Sequence, residues 1–128
     1  MLSDYPVAAT VPTADLERTA AFYADVLGLR EVGTMAGESV HYECGAGTML
    51  ELYRTRAGVA SGHTEAGWQV DDLEAVVAGL RERGVEFEEY DLGDGMKTEN
   101  GILVMGDDKA AWFKDPDGNV LGLFQAAG

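Results

Sequence analysis

One stretch occurs twice in this chain. Residues 12–29 read Pro-Thr-Ala-Asp-Leu-Glu-Arg-Thr-Ala-Ala-Phe-Tyr-Ala-Asp-Val-Leu-Gly-Leu, and residues 70–85 read Val-Asp-Asp-Leu-Glu-Ala-Val-Val-Ala-Gly-Leu-Arg-Glu-Arg-Gly-Val. Asp15-Leu16-Glu17 recurs as Asp72-Leu73-Glu74, 57 residues later. Each copy starts at a helix-capping residue, runs through an amphipathic pattern, stops at a glycine and follows a short strand-like run. An internal repeat governs the fold more than any local signal does. The chain therefore predicts two related halves.

The flanking segments extend the pattern. Residues 6–11 read as a first strand bounded by Pro12. Thr13 is placed to cap the first helix, with Asp15 and Glu17 in its positive first turn. Leu16, Ala20, Tyr23, Val26 and Leu27 recur at helical spacing as a buried stripe, and Gly28 ends the helix. Strands are expected from Arg30, over Ser39–Cys44 and over Thr48–Tyr53. Arg56–Gly62 reads as a linker. The second half begins with a strand over His63–Val70. Its helix is capped by Asp71 and buries Leu73, Val76, Val77 and Leu80 before Gly84. A strand over Glu86–Tyr90 follows. Residues 91–108 are an elaboration in which Asn100-Gly101 favours a tight turn. Ala110–Lys114 and Val120–Phe124 are the last strands, joined by an Asp115-Pro-Asp-Gly118 turn.

Both halves thus read strand–helix–strand–strand–strand. One helix covers one face of a sheet, so neither half closes alone. The prediction is an α+β fold: two βαβββ modules forming a curved, eight-stranded open barrel with a cup inside. Residues 1–128 make one domain, with module 1 at 5–56, module 2 at 63–126 and the insertion at 91–108.

Charge and composition limit the partners. The chain carries 23 acidic and 9 basic residues, a formal net charge of −14. That field repels nucleic acid and anionic lipid and attracts cationic ligands. No apolar run approaches the ~20 residues of a membrane span, and no basic-then-apolar leader opens the chain, so a cytoplasmic location is expected. The single cysteine, Cys44, excludes an intrachain disulfide and reads as a small core residue.

Asp15-Leu16-Glu17-Arg18, Phe22-Tyr23, Val26-Leu27-Gly28-Leu29, Val70-Asp71-Asp72-Leu73 and Phe113-Lys114-Asp115-Pro116-Asp117-Gly118-Asn119 together resemble the vicinal oxygen chelate superfamily. This superfamily includes glyoxalases, extradiol dioxygenases, fosfomycin-resistance enzymes and bleomycin-resistance proteins. The resemblance implies a fold more than a reaction, because function lives in the site. Its metal-binding members place ligands on the first and last strand of each module. Those places fall on Ala8, Glu51, Glu65 and Gly122. Two of the four have no donor, so the resemblance argues for no metal and no cofactor. His41 and His63 remain open as additional site residues.

Residues sharing the parity of those positions are expected to line the cup. Thr10, Met49, Tyr53, Gln69 and Phe124 are the candidate ligand-binding residues, with Trp112 either stacking on a ligand or filling the core. Met96 and Met105 are candidates for a pliable rim. Glu51 and Glu65 are the candidate catalytic residues: carboxylates in a closed cup would act as a general base or pair with a ligand cation. The resemblance thus implies a small-molecule-binding protein of the bleomycin-resistance type, sequestering a cationic or aromatic compound. The alternative is a glyoxalase-like lyase or isomerase working through Glu51 and Glu65. The resemblance also implies a homodimer.

Overall fold

The computed structural model describes residues 1–55 and 62–126. The expected linker at 56–62 lies outside the described residues apart from Gly62. The chain divides into two compact units, residues 1–61 with 116–119, and residues 62–115 with 120–128.

The first unit contains β1 (Ala8–Thr13), α1 (Leu16–Ala21), a π-helical turn (Phe22–Val26), β2 (Arg30–Met35), β3 (Ser39–Glu43) and β4 (Met49–Arg54). Its sheet has the order β1-β4-β3-β2, with β1 parallel to β4 and the other pairs antiparallel. The second unit repeats the plan with β5 (Thr64–Gln69), α2 (Leu73–Glu82), β6 (Leu103–Met105), β7 (Asp108–Lys114) and β8 (Val120–Gln125). Its order is β5-β8-β7-β6, with β5 parallel to β8. The expected α+β repeat is present as two mixed, four-stranded sheets, each with one helix.

In each sheet alternate residues are buried on the helix side. Val11, Leu50, Leu52, Val40 and Tyr42 fill that face of the first sheet, and Ala66, Ala111, Phe113, Leu121 and Leu123 that of the second. The period-2 pattern leaves the other face of the first sheet largely open, while on the second sheet Leu103, Ala110 and Val120 on that other face are buried too and Gly67, Gln69 and Phe124 remain exposed.

Several boundaries move. The first strand runs over Ala8–Thr13 rather than 6–11, with Pro12 inside it. A strand at the edge of its own sheet tolerates a residue without an N–H. The caps are Asp15 and Asp72, not Thr13 and Asp71, and each side chain accepts from the amide three residues on. Thr13 is still paired with Arg54 in the sheet, so the helix starts later. In α1 and the π-helical turn that follows, the fully buried residues are Thr19 and Tyr23, while Leu16, Ala20, Val26 and Leu27 are half-buried. The Leu27 amide bonds to the Phe22 carbonyl, five residues back, which rotates the stripe away from α-helical spacing. Tyr42 packs beneath, stacked on Tyr23 and donating to the Ala20 carbonyl at 3.2 Å. Burial, with Glu31 and Asp25 nearby, pushes its phenol up to about 12.

The strand expected at 86–90 is reduced to one bridge, Phe87 to Phe113. The backbone here turns to other partners. The Tyr90 amide bonds to Thr98 Oγ1, and Glu89 Oε1 accepts from the Gly101 amide. Residues 90–98 form a hairpin, followed by the expected Asn100-Gly101 turn, with both residues at positive φ and Glu99 bonded to Ile102. Gly101 is required there twice over, since a Cβ would stand 2.7 Å from Arg81 Nη2 and 2.8 Å from Phe87 Cβ.

Candidate functional site

The Asp115-Pro-Asp-Gly118 segment does more than turn the chain. Gly118 takes φ +84° as expected, but Asp117 is a clamp that sequence reasoning missed. Its carboxylate accepts from Thr13 Oγ1 and Thr19 Oγ1, both at 2.6 Å, from the Ala14 amide at 3.1 Å and from Arg18 at 3.4 Å. The segment thereby joins the first unit. Burial alone would raise the Asp117 pKa, but the Thr13, Thr19 and Ala14 hydrogen bonds and the Arg18 charge outweigh it. The carboxyl is held below its ordinary value. Asn119 adds a bond from Nδ2 to the Pro12 carbonyl at 2.8 Å.

The open face of the first sheet carries one row of interest. Thr10 is opposite Glu51, Glu51 opposite His41, and His41 opposite Gly33. Glu51 therefore points away from the helix, flanked in sequence by the buried Leu50 and Leu52. Its neighbour across the strands is His41, whose face the sequence did not fix. Its Nε2 lies 3.2 Å from Glu51 Oε2 and 3.2 Å from Ser39 Oγ. Met49 and Tyr53 stand two residues either side of Glu51 and are half-buried on the same face. The His41 and Glu51 side chains are 38% and 37% exposed, and pairs so hydrated contribute about 0.2–1 kcal/mol. Glu51→Gln is thus expected to shift the melting temperature by no more than about 3 °C. A fall of about 10 °C would show instead that the pair holds the sheet together.

The open face of the second sheet is aromatic. Trp112, Gly122 and Gly67 form one row, and Ala110, Phe124 and Gln69 the next. The Phe124 ring lies along the sheet over both glycines. A Cβ on Gly122 would come within 2.8 Å of it, and one on Gly67 within 2.6 Å. Trp112 meets Phe124 edge-on at 6.3 Å, and Tyr90 meets Trp112 at 5.5 Å. Tyr90, Trp112 and Phe124 thus form a ladder on a glycine floor. Tyr90 was not foreseen, because it stands at the end of the strand expected at 86–90, which is reduced to the single Phe87–Phe113 bridge. Burial and the Glu88 carboxylate raise its phenol, partly offset by Lys114, so the hydroxyl stays protonated near neutral pH. Lys114 pairs with Glu88 at 3.1 Å. Gln69 is exposed beside Phe124, and Met96 and Met105 are exposed by 39% and 38%.

The register shifts between Thr64 and Ala66: Thr64 pairs with Val120, and Glu65 stands in a bulge, half-buried. His63 is exposed in the bend before β5, and Cys44 is half-buried at the end of β3. A cleft of about 510 Å³ in the first unit is lined by Ala14, Leu16, Ala20, Val40 and Arg54 among others, and no predicted site residue borders it.

The metal positions of the resembling family fit poorly. Ala8 has no donor, Glu51 is engaged by His41, and the space above Gly122 is taken by the Phe124 ring. Among the described residues no group of three or more His, Cys, Asp or Glu is arranged to hold a metal ion. Nor is any helix long and apolar enough to cross a membrane.

Comparison with known proteins agrees with this plan. TnmS3, an antibiotic binding protein from Streptomyces sp. CB03234, is 28% identical with a TM-score of 0.71, covering 96% of this chain and 98% of its own. A lactoylglutathione lyase from Agrobacterium tumefaciens is 20% identical with a TM-score of 0.68, covering 95% and 93%. A glyoxalase / bleomycin resistance protein from Catenulispora acidiphila DSM 44928 is 21% identical with a TM-score of 0.69, covering 95% and 98%. At these lower identities the likeness is one of fold. No curated protein matches. The family model named Glyoxalase/Bleomycin resistance protein/Dioxygenase superfamily matches residues 6–123, nearly the whole chain, and the chain belongs to that superfamily.

Proposed function

We propose that this protein binds a planar aromatic small molecule, preferentially a cation, on the open face of its second sheet, and does so without a transition metal. The observation that carries the reading is the Tyr90–Trp112–Phe124 ladder over Gly67 and Gly122. Aromatic faces set on a floor without side chains offer stacking area with little to reorganise. The net charge of −14 favours a cation over an anion. The likeness to TnmS3, described as antibiotic binding, supports sequestration.

Elemental analysis of the purified protein is expected to find far less than one transition metal per chain. A stoichiometric metal lost on Glu51→Ala would overturn the metal-free part. A titration with proflavine, a planar aromatic cation, tests the binding part, with saturation at one per chain expected and no saturable binding contradicting it.

A second reading, a lyase or isomerase, draws on the His41–Glu51 pair, since a carboxylate-backed imidazole is a competent base. Deuterium uptake from solvent into a 2-oxo acid, faster with protein than in buffer and lost in His41→Ala, would support it. An unchanged rate would dismiss it. We also propose a homodimer, because β1, β2, β5 and β6 each end a sheet and such edges favour a partner. Light scattering at micromolar concentration should give twice the chain mass, and a monomer mass would count against it.

A further inference from the structure

We infer that Glu88 is the specificity-determining residue that selects cations at the aromatic ladder, and that Lys114 fills its place until a ligand cation exchanges with it. The inference rests on the reading of the ladder as a binding face. Glu88, Tyr90, Trp112, Lys114 and Phe124 all belong to the second unit. Lys114 follows Trp112 by two residues on β7, so both side chains leave the same face of the strand. Phe87 meets Phe113 on the helix side, with ring centroids 5.5 Å apart, so the next residue, Glu88, turns to the open face. The contacts agree. Glu88 Oε1 lies 3.1 Å from Lys114 Nζ, and the Glu88 amide donates to the Trp112 carbonyl at 2.8 Å. Both charges act on the Tyr90 hydroxyl, Glu88 raising its pKa and Lys114 lowering it. The ion pair therefore sits against the Tyr90–Trp112 end of the ladder.

The two partners are not equally free to leave. The Lys114 side chain is 52% exposed and that of Glu88 28%. An ammonium on a long flexible stem swings readily into water, whereas the carboxylate is the shorter and more enclosed of the two. A pair this hydrated is weak and parts at little cost. What remains is a carboxylate beside an indole: an anion for the charge of a flat cation and a ring for its face. A neutral ring stacks on the same ladder without engaging the pair. A ligand anion on Lys114 would have to displace Glu88, the less mobile partner, against the chain's net charge of −14.

The test compares proflavine with acridine, the same fused rings uncharged in mildly alkaline buffer, by tryptophan quenching. Proflavine should bind about tenfold more tightly, as one hydrogen bond to a charged group implies. Lys114→Met should raise proflavine affinity about threefold, the strength of one exposed ion pair, and leave acridine unchanged. Glu88→Gln should abolish the preference for proflavine, alone and combined with Lys114→Met. Lys109 controls for net charge, since it lies on the same strand but pairs with Glu74 of α2 at 2.7 Å. Lys109→Met removes the same charge and should leave the ratio of the two affinities unchanged. Equal effects of Lys109→Met and Lys114→Met, or a preference for proflavine that survives Glu88→Gln, overturn the inference. If proflavine and acridine bind the native protein with equal affinity, the binding reading stands and the role of Glu88 falls. If neither binds, both fall.

Discussion

Replacing Asp117 with alanine should lower the melting temperature by about 10 °C or more, the largest stability effect expected from any single polar substitution in this chain. The Thr13 and Thr19 hydroxyls that it holds are both 0% exposed, and both donate to the same carboxylate oxygen at 2.6 Å. Removing the acceptor leaves two buried donors without it, at about 1–3 kcal/mol each. The Ala14 amide and Arg18 lose a partner as well. Asp117→Asn keeps the shape and one acceptor oxygen and should cost about half as much. The pH dependence has a defined sign. The folded pKa of Asp117 lies below its ordinary value of 3.8. Its contribution is therefore complete above that value and is lost as pH falls through the folded pKa. Urea melts between neutral pH and pH 2 should show an acid limb in the native protein that is shallower in Asp117→Asn. A melting temperature unchanged in Asp117→Ala would remove the clamp from the account.

How much of this was legible beforehand follows the physics of each feature. The repeat at Asp15-Leu16-Glu17 and Asp72-Leu73-Glu74 gave the two units, because helix caps and amphipathic stripes are local. The alternation of Leu50, Glu51 and Leu52 gave the open face of β4, since side chains on a strand alternate. The Asn100-Gly101 turn was readable because positive φ at both positions is nearly confined to such pairs. What was lost depends on contacts remote in sequence. Asp117 reads as a turn residue until Thr13 and Thr19 arrive from about a hundred residues away. The face of His41 depends on the β3–β4 register, which no local pattern sets. The bulge between Thr64 and Ala66 has no signature in the residues themselves. Gly122 was legible as a missing donor. That the gap is filled by Phe124 follows only from a ring position.

Phe124→Ala should weaken binding of a planar aromatic ligand by tenfold or more, because stacked rings contribute roughly 1 kcal/mol beyond the area they bury. The ring is 38% exposed, so its removal should leave folding intact. Gly122→Ala tests the same geometry from below. The added methyl would stand 2.8 Å from the ring, which must swing away from the floor. Binding should fall in Gly122→Ala about as far as in Phe124→Ala, by a change that removes no aromatic group. If Gly122→Ala binds normally while Phe124→Ala does not, the floor has no part in the site.

The central claim is that the aromatic face of the second sheet takes a small aromatic ligand without a metal. It is tested most directly by the fluorescence of one indole. The chain has two tryptophans. Trp68 pairs with the helix-facing Leu123, so Trp68→Phe leaves Trp112 as the single reporter on the open face. Titrating this variant with proflavine in the presence of EDTA should quench Trp112 saturably at one ligand per chain, with affinity reduced at least tenfold when Phe124→Ala is added. Quenching that never saturates, that needs added metal, or that is indifferent to Phe124 would contradict the account.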